Sequence, residues 1–302
     1  MQFQRTIRNE IRCKSIGLHS GRRVNMVIKP AGADQGITFV RRDIAGENRI
    51  KAHLSNVTDT TLATTLGING TRISTVEHLL SAFRGMGVDN ATVELDSAEV
   101  PIMDGSALPF VTLLRNAGIR IQNKSRKVIL VRKKVEVTDG DGSACLEPCD
   151  HFKITYKIDY SHPSIGEQSY NMSFSSALYQ EEICSARTFG FLRDVEYLQA
   201  KGLALGGSLK NAIVLDDTRI INKEGLRCPD ELVKHKILDA IGDLFLLGYP
   251  VIGHFIACKS GHKLHNLLLK EIIADPDNYE IVSCPKMESR IPSPVLRLRT
   301  GS

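Results

Sequence analysis

Residues 230–274 read DELVKHKILDAIGDLFLLGYPVIGHFIACKSGHKLHNLLLKEIIA. Ile237, Leu238, Ile241, Leu244 and Phe245 recur at helical spacing, and Gly248 follows, so the pattern predicts a helix over 230–247. Residues 251–257 read as a strand, and 261–274 as a second helix. Upstream, the runs 128–131, 135–137, 144–146 and 153–158 are strand-like. The order is therefore several strands, a helix, a strand and a helix. The N-terminal half has the same order. Residues 25–28 and 37–40 are β-like runs around the turn at 30–34. Val76, Leu79, Leu80 and Phe83 then mark a helix that should stop near Arg84-Gly85. A strand at 91–95 and a helix at 109–117, ended by Gly118, complete the set. Two copies of one order predict an α+β fold built by duplication. The polar run 121–127 is the candidate linker, dividing the chain into domains at 1–124 and 128–302. Residues 185–225 have no counterpart in the first half and read as an insertion.

The bulk numbers narrow the function. A chain of 302 residues is long enough for about two domains. Its 42% apolar and 24% charged residues are those of an ordinary folded protein. A net charge of +5 is a mild basic excess, which suits an anionic small molecule. Lys133-Lys134 and Arg41-Arg42 are short basic pairs without interleaved aromatics, so nucleic acid is not an expected partner. No stretch approaches the ~20 apolar residues of a membrane span. No apolar run follows Arg5, so no signal peptide is expected. The seven cysteines are scattered and read as reduced thiols, which points to the cytoplasm. No coiled-coil heptads suggest assembly, and a monomer is expected.

Two short runs carry chemistry. In His235-Lys236-Ile237-Leu238-Asp239, four residues make about one helical turn, so His235 and Asp239 share a face and can grip one ion. Asp243 continues that face by another turn. In Thr75-Val76-Glu77-His78-Leu79, His78 offers a third ligand. A His₂Asp set leaves one position open, as a catalytic zinc site requires. Glu77 lies about 100° around the helix from His78, where it can act as general base without ligating the metal. Other readings remain open on spacing alone. Ser74-Thr75-Val76-Glu77 fits a capping box. His78 could be a core histidine, and His235 with Asp239 a solvated i,i+4 pair, although the apolar flanks place them near a buried boundary.

With these residues in place, the chain resembles the LpxC family of zinc-dependent UDP-3-O-acyl-N-acetylglucosamine deacetylases of lipid A biosynthesis. The resemblance rests on Gly17-Leu18-His19-Ser20-Gly21, on 72–79, on Pro101-Ile102-Met103-Asp104-Gly105-Ser106, and on Ser185-Ala186-Arg187-Thr188-Phe189-Gly190-Phe191. It continues through 203–208, 235–243 and Lys259-Ser260-Gly261-His262. It implies two two-layer α/β-sandwich domains, each a sheet with two helices, with the site between them.

The resemblance also implies roles. The Zn2+ ligands are His78, His235 and Asp239, and the base is Glu77. The second catalytic histidine is His262, oriented by Asp243, and Thr188 bonds the carbonyl oxygen in the transition state. Lys236 and Lys259 fall near the sugar and diphosphate, and Asp159 and Tyr160 hold the uridine. At Tyr160 the family usually carries Phe, and Tyr keeps the stacking face. The insertion becomes a βαβ element around an acyl-chain passage, lined by Phe189, Phe191, Leu192, Val195, Ala204, Gly207 and Ser208. The implied reaction releases acetate from the UDP-sugar, with Glu77 or His262 protonating the amine. His19 is placed near the site, and Asp104 serves either near it or as a turn cap. His53, His151, His162, His254 and His265 are expected at the surface or at polar boundaries. Two rivals are a metal-dependent amidase acting on another acylated sugar and a non-catalytic binding module.

Overall fold

The computed structural model describes residues 2–46 and 48–284. The fold is mixed α+β. A five-stranded sheet carries the order Ile11–Ile16, Arg23–Pro30, Ala91–Leu95, Ile37–Arg41, Arg49–Lys51. A seven-stranded sheet is built around Val251–Cys258, which pairs parallel with Lys127–Val131 and Phe152–Tyr160 and antiparallel with Gly142–Glu147. The helices are α1 (Glu77–Met86), α2 (Leu108–Ala117), α3 (Ser176–Leu178), α4 (Leu192–Ala200), α5 (Glu231–Leu244) and α6 (His262–Ala274).

Local chemistry explains the elements that position the site. Val251, Gly253, Phe255 and Ala257 alternate with less buried neighbours, the period-two pattern of a pleated strand. Helix α1 ends in a left-handed Gly87, two residues beyond the expected stop. Every residue of α5 except Lys236 is buried. Although it carries polar and charged residues, α5 is buried almost all round, packed against α1, α6 and the strand Phe152–Tyr160. The reading of His235 and Asp239 as a solvated pair fails on this burial, since their side chains are 2% and 4% exposed.

The candidate linker is not a loop. Residues Ile119–Ser125 form a strand that pairs antiparallel with Phe3–Ile7. Arg126 is buried against Asp89 at 2.8 Å, and the next strand begins at Lys127. Arg120, Asn123 and Lys124 are exposed on this two-stranded ribbon together with Ile121, while Gln122 is half-buried and bonded to Asn90 and Ala31. Polarity alone does not separate such a ribbon from a linker. Among the described residues no helix is long and apolar enough to cross a membrane.

Candidate active site

The site forms where α1 crosses α5, and a glycine makes the crossing possible. A Cβ built on Gly242 would lie 2.1 Å from the Glu77 carbonyl oxygen. Only glycine lets the two backbones approach so closely. Just before α1 the chain turns through Thr75 at φ 59°, outside the ordinary region for a β-branched residue. The turn is held by Ser74 N–H donating to Ala98 O, by Val100 N–H donating to Ser74 O, and by the Thr75 hydroxyl donating to Glu99 at 3.3 Å. The capping-box alternative fails here. Val76 sits at the cap position without a side-chain bond, and the Ser74 hydroxyl meets that of Thr75. Glu77 turns inward instead.

At the crossing, His78, His235 and Asp239 converge, with all three ligand atoms within 4.8 Å of one another. Asp239 Oδ1 lies 3.5 Å from His78 Nε2 and 3.4 Å from His235 Nε2. Donors about 2.0–2.1 Å from a tetrahedral ion stand roughly 3.3–3.4 Å apart, so these separations fit a cation. Asp239 Oδ1 is buried and has no hydrogen-bond partner among the described residues. A buried carboxylate oxygen without a donor is costly unless a cation meets it. His235 Nδ1 lies 3.1 Å from Ala186 O and donates to it, which leaves Nε2 with a lone pair. Burial pulls the His235 pKa down to about 3, so the ring is neutral and able to ligate. Burial would raise Asp239, but His235 and Lys236 hold it well below the usual range. Lys236 Nζ binds Asp239 Oδ2 at 2.9 Å.

One turn along α5, Asp243 organises a second cluster. Its Oδ2 accepts His262 Nδ1–H at 2.7 Å and His265 Nδ1–H at 2.8 Å, and its Oδ1 accepts the Thr64 hydroxyl at 2.6 Å. Burial opposes ionisation of Asp243, yet the two imidazoles bring its pKa down to about 2. Burial likewise lowers His262, but Asp243 outweighs it and raises the pKa to about 9. His262 is therefore a cation at neutral pH. Glu77, 2% exposed, accepts the Thr64 N–H at 3.0 Å. Burial raises its pKa, with His262 and His78 pulling the other way.

Phe189 stands 6.3 Å from the His235 ring, with Lys236 Nζ over its face at 5.6 Å. Tyr160 lies 5.7 Å from Phe189 and 5.9 Å from Phe191. Lys259 pairs with Asp159 at 2.9 Å. Within the insertion, Phe189–Phe191 and Ile213–Leu215 run parallel with α4 between them. Helix α4 has no buried residue; Leu192 is exposed and Val195 half-buried. Gly207 and Ser208 lie on the exposed loop that follows Ala204. Thr188 donates its N–H to Gly105 O, which fixes the strap that carries it. His19 is turned toward the same region. Burial lowers its pKa, Glu99 opposes that, and His262 and His78 lower it further. Asp104 caps its turn through Ser106 and pairs with Arg227.

Two of the histidines expected at the surface or at polar boundaries are buried. His265 is 1% exposed and His162 is 7% exposed, the latter bonded to Asp216 O at 2.7 Å. His265 follows His262 by three residues on one helix face, a spacing that could have revealed their shared carboxylate. Thr64 and Gly242 carry no spacing signal in the sequence.

Comparison with known proteins identifies the family. The family model described as LpxC: UDP-3-O-acyl N-acetylglycosamine deacetylase matches residues 4–274. Three proteins named UDP-3-O-acyl-N-acetylglucosamine deacetylase are similar over nearly their whole length. That of Syntrophus aciditrophicus is 60% identical over 94% of this chain and 90% of its own. That of Myxococcus xanthus is 52% identical over 94% and 91%. That of Alcanivorax borkumensis is 49% identical over 98% and 97%.

Proposed function

The chain belongs to the LpxC family of UDP-3-O-acyl-N-acetylglucosamine deacetylases, and from that premise we propose that it is a zinc-dependent amide hydrolase working through the site at the α1–α5 crossing. It hydrolyses the N-acetyl group of a UDP-3-O-acyl-N-acetylglucosamine in lipid A biosynthesis. The observation that carries the metal assignment is the buried, donor-less Asp239 Oδ1 beside two imidazole nitrogens. A His₂Asp set suits zinc. Bound zinc supplies Lewis acidity, which makes water more acidic and a carbonyl more electrophilic.

The protein's own groups do the rest. Glu77 spends one carboxylate oxygen on the Thr64 N–H and keeps the other to take a proton from the attacking water. Its raised proton affinity, set by burial, suits a base that must accept a proton and then release it. Water oxygen joins the acetyl carbon, the amide nitrogen takes up a proton from Glu77 or His262 as the C–N bond breaks, and acetate and the free amine leave. His262, held cationic by Asp243, places positive charge beside the developing oxyanion, with the Thr188 hydroxyl as a further donor. Lys236, Lys259, Asp159 and Tyr160 meet the nucleotide-sugar end. The exposed apolar side of the insertion, with Phe189, Phe191, Leu192 and Val195, takes the acyl chain. The seven free thiols support a reducing, cytoplasmic setting.

The deciding experiment is deacetylation of the acylated UDP-sugar with and without chelator, and with and without the acyl group. Activity lost to the chelator and restored by zinc supports the reading. Equal turnover of the substrate lacking the acyl group would instead favour an amidase for other acylated sugars.

A further inference from the structure

Glu231 and His235 stand one turn apart on α5, and a single peptide unit is strung between them. The Arg187 N–H donates to Glu231 Oε1 at 3.0 Å, while the Ala186 carbonyl of the same peptide accepts from His235 Nδ1 at 3.1 Å. The plane is rigid, and its N–H and C=O point in opposite directions, so fixing one end aims the other. The Arg187 side chain fixes that end a second time. Its Nε donates to Glu231 Oε1 at 2.8 Å, its Nη2 to Oε2 at 3.1 Å, and Nη2 also reaches Gly225 O at 2.8 Å. Arg227 N–H adds a bond to Glu231 Oε2 at 2.5 Å. The two side chains are 5% and 0% exposed.

A buried ion pair adds little net stability, because desolvation offsets attraction and apolar replacement is often neutral. What a bidentate guanidinium–carboxylate fork adds is fixed distance and fixed plane. We infer that Arg187 and Glu231 are positioning residues for the reaction: their fork aims the Ala186 carbonyl at His235, and so holds that imidazole with its proton on Nδ1, and sets Thr188, the next residue, in register. Neither residue touches substrate. The inference rests on His235 being a metal ligand and Thr188 an oxyanion donor.

The test is the double substitution Arg187→Met/Glu231→Leu, which removes both charges together. In the metal-free protein, 15N signals of His235 should change from the Nδ1–H tautomer to a mixture. In the zinc-loaded enzyme, kcat should fall roughly 10–100-fold with KM changed by less than about threefold, and zinc should pass to a chelator roughly tenfold faster, the scale at which partners of metal ligands act. A folded double variant with the wild-type tautomer and wild-type kcat overturns the inference. If the double variant does not fold, Arg187→Lys decides, since lysine keeps the charge but not the fork. A loss of about tenfold in kcat supports the assignment, and unchanged kcat and tautomer overturn it. A wild-type enzyme indifferent to chelator would overturn the metal-hydrolase reading instead, and the tautomer alone would then judge the positioning role.

Discussion

Gly242→Ala tests whether the helix crossing itself sets the chemistry. The added methyl would meet the Glu77 carbonyl oxygen at 2.1 Å and the carbonyl carbon at 2.8 Å, and both are backbone atoms that cannot swing aside. Relief to an ordinary contact needs α1 and α5 to part by about 1 Å. That displacement runs through the site, since Glu77 and His78 ride on α1 while His235, Asp239 and Asp243 ride on α5. A misplacement of about 1 Å costs on the order of 10²-fold in rate. Stability should change less. Overpacking costs about 1–3 kcal/mol, and alanine in place of a helical glycine returns up to about 1 kcal/mol. The expected signature is a variant whose melting temperature drops by only a few degrees while kcat/KM for deacetylation falls about a hundredfold. Full activity within twofold would refute the claim that this crossing fixes the ligand geometry.

Glu77→Ala should keep stoichiometric metal and lose about 10²–10⁴-fold in rate; an unchanged rate by the same assay would remove Glu77 as base. Asp239→Ala should lose metal on dialysis, read by elemental analysis, and should leave the Lys236 ammonium without its carboxylate; stoichiometric metal in that variant would count against Asp239 as a ligand. The His262–Asp243 pair predicts two pH limbs. His262 is raised from 6.5 to about 9, so its stabilisation is complete below 6.5 and is lost as pH rises through about 9. Asp243 is depressed from 3.8 to about 2, so its share is complete above 3.8 and is lost as pH falls through about 2. Wild type minus Asp243→Asn in chemical denaturation should shrink between pH 7 and 10, and activity should decline near pH 9. A flat difference across that range would show that Asp243 does not hold the His262 charge.

Much of this was legible in the sequence where a period or a spacing carried it. The pair His235 and Asp239 shares a helix face because four residues nearly complete a turn, and α5 was visible as an apolar run. Three kinds of feature were not legible. The strand Ile119–Ser125 carries mostly polar side chains, so its composition matched a linker. The inward turn at Thr75 depends on contacts with 98–100, which no local pattern encodes. Of the partners of Asp243, His262 came only through the family resemblance, while Thr64 and His265, 179 and 22 residues away in sequence, were not read.

The three acidic groups at the crossing show why residue type alone could not assign roles. Glu77, Asp239 and Asp243 are all buried, and burial raises the proton affinity of each. Asp239 escapes that rise through His235 and Lys236, and Asp243 through two imidazoles. Both stay ionised, one as a ligand oxygen and the other as a fixed counter-charge. Glu77 accepts only a neutral backbone N–H, and no Lys or Arg pairs with it among the described residues. It alone keeps a raised pKa, so of the three it is the one most ready to take up a proton. Placing a further cation beside Glu77, in addition to His262, should therefore abolish its function without removing its carboxylate. Thr64 donates to Glu77 through its backbone N–H and to Asp243 through its hydroxyl, so Thr64→Lys would bring an ammonium into the pocket that the two carboxylates share. The expected result is a rate as low as that of Glu77→Ala; a rate near wild type would mean that the base draws its proton affinity from somewhere other than burial.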